Sequence, residues 1–149
     1  MPDTGCGFGL FALYHAATHR PLQFHGLDIN RSRIAMARLS ARRLGRTNAT
    51  FTVGDAAGEP PFHGVYQGAS MLDLVQHIPV RSVRPLLERL HDLVVPGGRV
   101  VIKDMDTRPS YKRAFTYFLG RLMDQSGEIH SWPSKTLRQL LSEVGFEVY

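Results

Sequence analysis

The chain has 149 residues, 43% hydrophobic and 21% charged, a composition that suits one globular domain with its own core and argues against disorder. Its 18 basic and 13 acidic side chains leave a net charge of +5. No stretch approaches the roughly 20 apolar residues of a membrane span, the single Cys6 excludes a disulfide scaffold and a multi-cysteine zinc site, and no signal-peptide pattern follows Met1, so a reducing cytoplasm is the expected setting.

Taken in chain order, short β-like runs alternate with helical patterns. Asp3-Thr4-Gly5 has the character of a strand-to-helix turn, and Leu10 to Thr18 reads as the helix after it. Gln23 to Leu27 predicts a strand ending at Asp28. Ser32 to Leu44 predicts a helix with Ile34, Ala37, Ala41 and Leu44 on one stripe, stopped by Gly45. Six arginines fall between Arg31 and Arg46. They read as the solvated face of that helix, so no specific nucleic-acid partner is expected. Thr50 to Val53 and Gly64 to Leu72 predict further strands, the latter weakened by Gly68.

Val83, Leu86, Leu87, Leu90 and Val94 give helical spacing, with Pro85 tolerable only in a first turn. Pro96-Gly97-Gly98 is expected to break that helix before a strand from Arg99 to Lys103. Tyr111, Ala114, Phe115, Phe118 and Leu122 share a helical face. Ser134 can cap a last helix with Leu137, Leu140, Leu141 and Val144 inward and Gly145 at its end, and Phe146 to Tyr149 begins a strand. Alternation of this kind implies a single α/β domain over 1–149: a doubly wound, mostly parallel sheet with right-handed crossovers and helices on both faces. Almost no strand precedes Asp3, so the central strand is expected to be incomplete and the chain to be cut at both ends.

Asp3-Thr4-Gly5-Cys6-Gly7-Phe8-Gly9 is the most informative segment. Glycines at positions 5, 7 and 9 allow a tight turn and close approach of a ligand. The next strand ends at Asp28, 23 residues after Gly5, where a carboxylate can accept hydrogen bonds from both ribose hydroxyls or cap the following helix. Asp55 ends the strand after that, on the same carboxyl edge, and either contacts a ligand or caps the next turn. Cys6 reads as a turn filler rather than a nucleophile. His77 reads equally as a packed helix-start residue and a catalytic one, and Asp73 as a ligand contact or a loop-orienting group. Trp132 and the aromatics Phe115, Tyr117 and Phe118 read as core or lid packing.

These residues resemble the class I S-adenosylmethionine-dependent methyltransferases, whose fold is Rossmann-like. Asp3 to Gly9 looks like the family's first motif, Gly26-Leu27-Asp28-Ile29 like its ribose-binding strand end, and Gly54-Asp55-Ala56 like its adenine-binding turn. Met71 to Pro79 is similar to its strand-four segment, and Leu93 to Val100 to its Pro-Gly-Gly segment before strand five. The five segments are ordered and cover nearly the whole chain. The resemblance implies that Gly5, Cys6, Gly7 and Gly9 face the methionine part of S-adenosylmethionine and Asp3 its amine. It likewise implies that Asp28 holds the ribose, that Ile29 packs on the adenine, and that Asp55 and Ala56 meet its polar edge. The first strand and the family's final hairpin strand are largely missing from the sequence.

The implied activity is methyl transfer to a small-molecule acceptor by O- or N-methylation, with S-adenosylhomocysteine as product, His77 as candidate base, Asp73 beside it, and no metal. The segment from Lys103 to Trp132 would be the substrate-side lid. No Asp/Asn-Pro-Pro-Tyr element follows the strand-four segment, which argues against methylation of exocyclic base nitrogens. A non-catalytic truncated module and a nicotinamide-dependent oxidoreductase fragment are the competing readings. The oxidoreductase would place its third glycine three residues after the second, whereas Gly9 follows Gly7 by two.

Overall fold

The computed structural model describes residues 1–58, 61–104, 130 and 132–149. Its elements are β1 (Pro2–Thr4), α1 (Leu10–Thr18), β2 (Phe24–Asp28), α2 (Arg31–Arg43), β3 (Ala49–Val53), β4 (Tyr66–Leu72), a 3₁₀ turn (Val75–His77), α3 (Val80–Asp92), β5 (Val94–Lys103) and α4 (Ser134–Val144). The strands are ordered β3-β2-β1-β4-β5, and every neighbouring pair among the described residues is parallel. This is the expected Rossmann-like α/β sheet. The chain crosses from one half to the other between β1 and β4, the place where open sheets of this order bind ligands at their carboxyl ends.

Two cores form, one on each face. Ala12, Leu13 and Ala16 of α1 and Ile34, Ala37 and Ala41 of α2 pack on Phe24, Ala49 and Phe51. On the other face Val83, Leu86, Leu87 and Leu90 of α3 and Leu141 of α4 cover Leu27, Ala69 and Met71. Both helix stripes follow the spacing that buries one side of an amphipathic helix. The helix ends follow their glycines. The amide of Arg46 donates to Ala41 and that of Gly45 to Arg42, while Phe146 donates to Leu141 and Gly145 to Ser142. Each pair is a Schellman closure around a glycine with positive φ. No helix among the described residues is long and apolar enough to cross a membrane.

The short central strand is as expected, and four other sequence expectations need correction. The central strand is short but inserted: Asp3 pairs with Gly26 on one side and Ser70 on the other, and Thr4 with Leu27 and Met71, so its neighbours neither close together nor stand unpaired along it. Pro2, which lacks a donor, sits where a strand tolerates it, at the first residue. Pro85 lies in the second turn of α3 rather than the first. It is exposed there, so water can satisfy the carbonyl left without its amide donor.

Pro96-Gly97-Gly98 does not separate helix from strand. α3 ends at Asp92, and the three residues form an irregularity inside β5, whose register on β4 jumps from Tyr66↔Val94 to Gly68↔Arg99. A Cβ on Gly98 would lie 2.4 Å from Val94 Cγ1 and 2.9 Å from the Gln67 carbonyl, so the bulge closes only with glycine there. Phe146–Tyr149 adds no strand, because Phe146 and Val148 turn back onto the α3/α4 core and the Phe146 ring meets His91 edge-on at 5.1 Å. Finally, α2 is capped by Asn30, whose side chain accepts from the amides of Ser32 and Arg33. The helical face expected from Tyr111 to Leu122 lies outside the described residues.

Candidate functional site

The glycine turn leaves β1 at the sheet's carboxyl edge. Its first two amides, Gly5 and Cys6, both donate to the carbonyl of Leu27 in β2, at 2.8 and 2.9 Å, and the Gly9 amide closes back on Cys6 at 2.8 Å. The three glycines answer to different surroundings. A Cβ on Gly9 would strike the Phe51 ring at 2.5 Å, and one on Gly5 would meet the Leu74 side chain at 2.9 Å. Around Gly7, with φ +55, nothing lies within 4 Å of that position. Two glycines thus seat the turn against the fold, and the middle one presents bare backbone to open space.

Asp28 is the second anchor of this turn. Its Oδ2 accepts from the Gly7 amide and its Oδ1 from the Asn30 amide, both at 2.8 Å. With Asn30 capping α2, Asp28 is not the helix cap. It is only 8% exposed, and each carboxylate oxygen keeps a second lone pair for a ligand. Ile29, next to it, is 69% exposed, a bare apolar side chain beside the turn.

Asp3 points into the sheet at 2% exposure. Its Oδ1 accepts from the Ser70 hydroxyl at 2.7 Å, and its Oδ2 is buried without a hydrogen-bond partner. Burial raises its carboxyl to about 6, opposed by the Ser70 bond and assisted by the Asp28 charge. An unpartnered buried acceptor is costly unless a donor arrives. Cys6 sits between these carboxylates, and burial followed by the charges of Asp3 and Asp28 drives its thiol far above the usual range. A thiol held neutral is a poor nucleophile, which agrees with its reading as a turn filler.

Further along the edge, Asp55 is exposed and its Oδ1 accepts from the Ala57 amide at 2.8 Å, so it does cap its own turn. The buried Ala56 is fixed from the opposite side: the Arg89 guanidinium of α3 donates to the carbonyls of Ala56 and Ala57 at 3.2 and 3.3 Å. Asp73, just past β4, has φ +53 and is the one non-glycine residue with positive φ among those described. It forms an ion pair with Lys103, and its amide donates to the Lys103 carbonyl at 2.7 Å. His77 is exposed at the end of the 3₁₀ turn, with its amide bonded to Leu74. Trp132 packs against the α3/α4 core. Among the described residues no cluster could hold a metal ion.

The fold therefore brings Gly5, Cys6, Gly7, Gly9 and Asp28 into one hydrogen-bonded unit after the strand that carries Asp3, with Ile29, Asp55 and Ala56 along the same edge. Asp73 is tied to Lys103 rather than to His77. Sequence reasoning missed Ser70, Asn30, Leu74 and Arg89. Ser70 alone left a trace, as a hydroxyl among the apolar residues of a central strand. Its partner lies 67 residues away.

Comparison with known proteins shows the family and the fold. The methyltransferase domain family matches residues 3–149. The ubiquinone biosynthesis O-methyltransferase of Pseudomonas paraeruginosa is 28% identical over 109 residues, covering 72% of this chain and 44% of that protein. The chain thus spans less than half the length of that curated relative. Two solved structures share the fold. The magnesium protoporphyrin IX methyltransferase of Synechocystis, with bound S-adenosylhomocysteine, superposes with TM-score 0.75 at 20% identity, over 99% of this chain and 64% of that one. An S-adenosylmethionine-dependent methyltransferase of Methanosarcina mazei superposes with TM-score 0.77 at 22% identity, over 98% and 78%.

Proposed function

The chain belongs to the class I S-adenosylmethionine-dependent methyltransferases, and on that premise we propose that it is a single domain that binds this cofactor along the carboxyl edge of its sheet and methylates a small-molecule acceptor at oxygen. The observation that carries the proposal is the buried Asp3 Oδ2, an acceptor with no partner, in the strand that leads into the turn where Gly7 bares its backbone to open space. A cationic amine is the donor that such an oxygen fits. In this reading Asp3 takes the amine, and Gly5, Cys6, Gly7 and Gly9 line the methionine chain. Asp28 accepts from the ribose hydroxyls through its remaining lone pairs. Ile29 covers one adenine face, with Asp55 and Ala56 at its polar edge. Oxygen is favoured as the acceptor atom by the O-methyltransferase relatives.

The cofactor supplies a methyl group already electrophilic on its sulfonium. The protein's task is then alignment and exclusion of water, and proximity with orientation can lower such a barrier by about 7–11 kcal/mol. Asp28 serves alignment twice, because the carboxylate that would grip the ribose also holds the Gly7 amide at 2.8 Å. His77, exposed beyond β4, is the proposed base that takes the proton of the acceptor hydroxyl. Asp73, with its neighbour Lys103, would orient the acceptor side of the same edge.

Isothermal titration with S-adenosylhomocysteine tests the cofactor. Saturable binding is expected, and the absence of heat up to millimolar concentration overturns the reading. Asp28→Ala should weaken that binding by about 1.5–3 kcal/mol, since it removes charge-assisted hydrogen bonds and frees the Gly7 amide. An unchanged affinity would restrict Asp28 to a structural role. His77→Gln should leave the affinity for S-adenosylhomocysteine intact and lower kcat by about 10²–10⁴-fold, the range of a general base. An unaltered kcat removes His77 from the chemistry.

A further inference from the structure

β4 lies beside β1 with Ser70 opposite Asp3. Ser70 is fully buried, in a strand whose neighbouring Ala69 and Met71 serve the core. A buried hydroxyl costs free energy unless it is hydrogen-bonded, and an apolar β-branched residue would suit this strand better. The Ser70 proton has one short acceptor, Asp3 Oδ1 at 2.7 Å, and a longer contact to the Pro2 carbonyl at 3.4 Å. With Oδ1 taken, the carboxylate cannot rotate without breaking that bond. Oδ2 is left as its bare acceptor.

Resting on the cofactor assignment above, we propose that Ser70 is a positioning residue for cofactor binding: its hydroxyl locks the Asp3 carboxylate so that Oδ2 alone meets the ammonium group of the cofactor. Charge works in the same direction. The titratable groups that bear on Asp3 are Asp28, from the end of β2, and the neutral thiol of Cys6 in the glycine turn. Burial and the Asp28 charge both favour the protonated acid, which cannot pair with a cation, and the Ser70 hydrogen bond opposes them. Ser70 therefore supplies both the direction of the free oxygen and part of its negative charge.

The test compares the whole chain with Ser70→Ala, Ser70→Cys and Ser70→Thr. Two quantities are followed between pH 5.5 and 8: the Asp3 carboxyl titration by carbon NMR, and the affinity for S-adenosylhomocysteine. For the unaltered chain both should turn over near pH 6. Ser70→Ala should raise the midpoint by about one unit, the scale of one hydrogen bond to a carboxylate, which through charge alone makes binding about fivefold weaker at pH 6, and the lost lock should leave a smaller deficit at pH 8. Ser70→Thr, which keeps the hydroxyl, should restore the original midpoint. Should the alanine variant fold poorly, Ser70→Cys, a weak donor of similar size, must show the same upward shift. An unmoved Asp3 midpoint, or an affinity equal to that of the unaltered chain across the pH range, overturns the proposal and leaves Ser70 a packing residue. Absence of binding by the unaltered chain, with the NMR shift intact, overturns the cofactor assignment while supporting the hold of Ser70 on Asp3.

Discussion

Gly9→Ala is expected to destabilise the chain by roughly 2–5 kcal/mol, while Gly7→Ala, two residues earlier, costs about 1 kcal/mol and destroys binding instead. Both positions have positive φ, so both alanines meet the left-handed backbone penalty. They part company in space. At position 9 the new methyl would sit 2.5 Å and 2.7 Å from two atoms of the Phe51 ring and 3.1 Å from Ala37 Cβ. Those neighbours belong to the buried core between α1, α2 and the sheet, where displacement is costly. At position 7 the methyl enters open space, where the cofactor's methionine chain is proposed to lie. Urea unfolding and S-adenosylhomocysteine titration read the two effects separately. Equal stability losses with equal residual binding would mean that the turn does not divide its labour in this way.

Asp3→Asn is expected to make the cofactor-free protein more stable at neutral pH and to weaken cofactor binding at least tenfold, the scale of a lost charge-assisted bond. The folded carboxyl titrates at about 6 against an ordinary 3.8. The folded state thus binds the proton more tightly than the unfolded one. Stability from this group is fully present below about pH 4, declines as pH rises through about 6, and stays lost above that. The difference corresponds to roughly 3 kcal/mol, since each unit is worth about 1.4 kcal/mol. Asparagine keeps the shape without the charge, so its curve should lack that slope and lie above the native one at pH 7.5. Parallel stability curves for the two proteins between pH 4 and 7 would show that burial does not strain this carboxylate.

Much of this was written locally enough to be read. The 3.6-residue stripes of α2 and α3 and the glycines after α2 and α4 are near-neighbour patterns, and they place helices and ends to within a residue or two. So is the glycine turn with Asp28 at the next strand end. What escaped reading depends on partners distant in the chain. Pro-Gly-Gly ordinarily stops an element, yet here β4 captures residues on both sides of it and makes it a bulge. Asp28 and Asn30 are both good caps, and the Gly7 amide, 21 residues back, draws the first of them away. No spacing rule links Ser70 with Asp3, because their meeting depends on strand order and register.

The parallel order of the described strands, with β1 at its centre, also shapes how the chain can fold. β1 cannot be completed by a local hairpin. On one side it waits for β2, about 23 residues on, and on the other for β4, where Asp3 meets Ser70 across 67 residues. Closing the longer loop costs more chain entropy, and non-local pairing of this sort makes folding slow. The carboxylate becomes buried only when the two halves of the sheet join. Its desolvation therefore burdens that joining, and acid, by neutralising Asp3, should speed it.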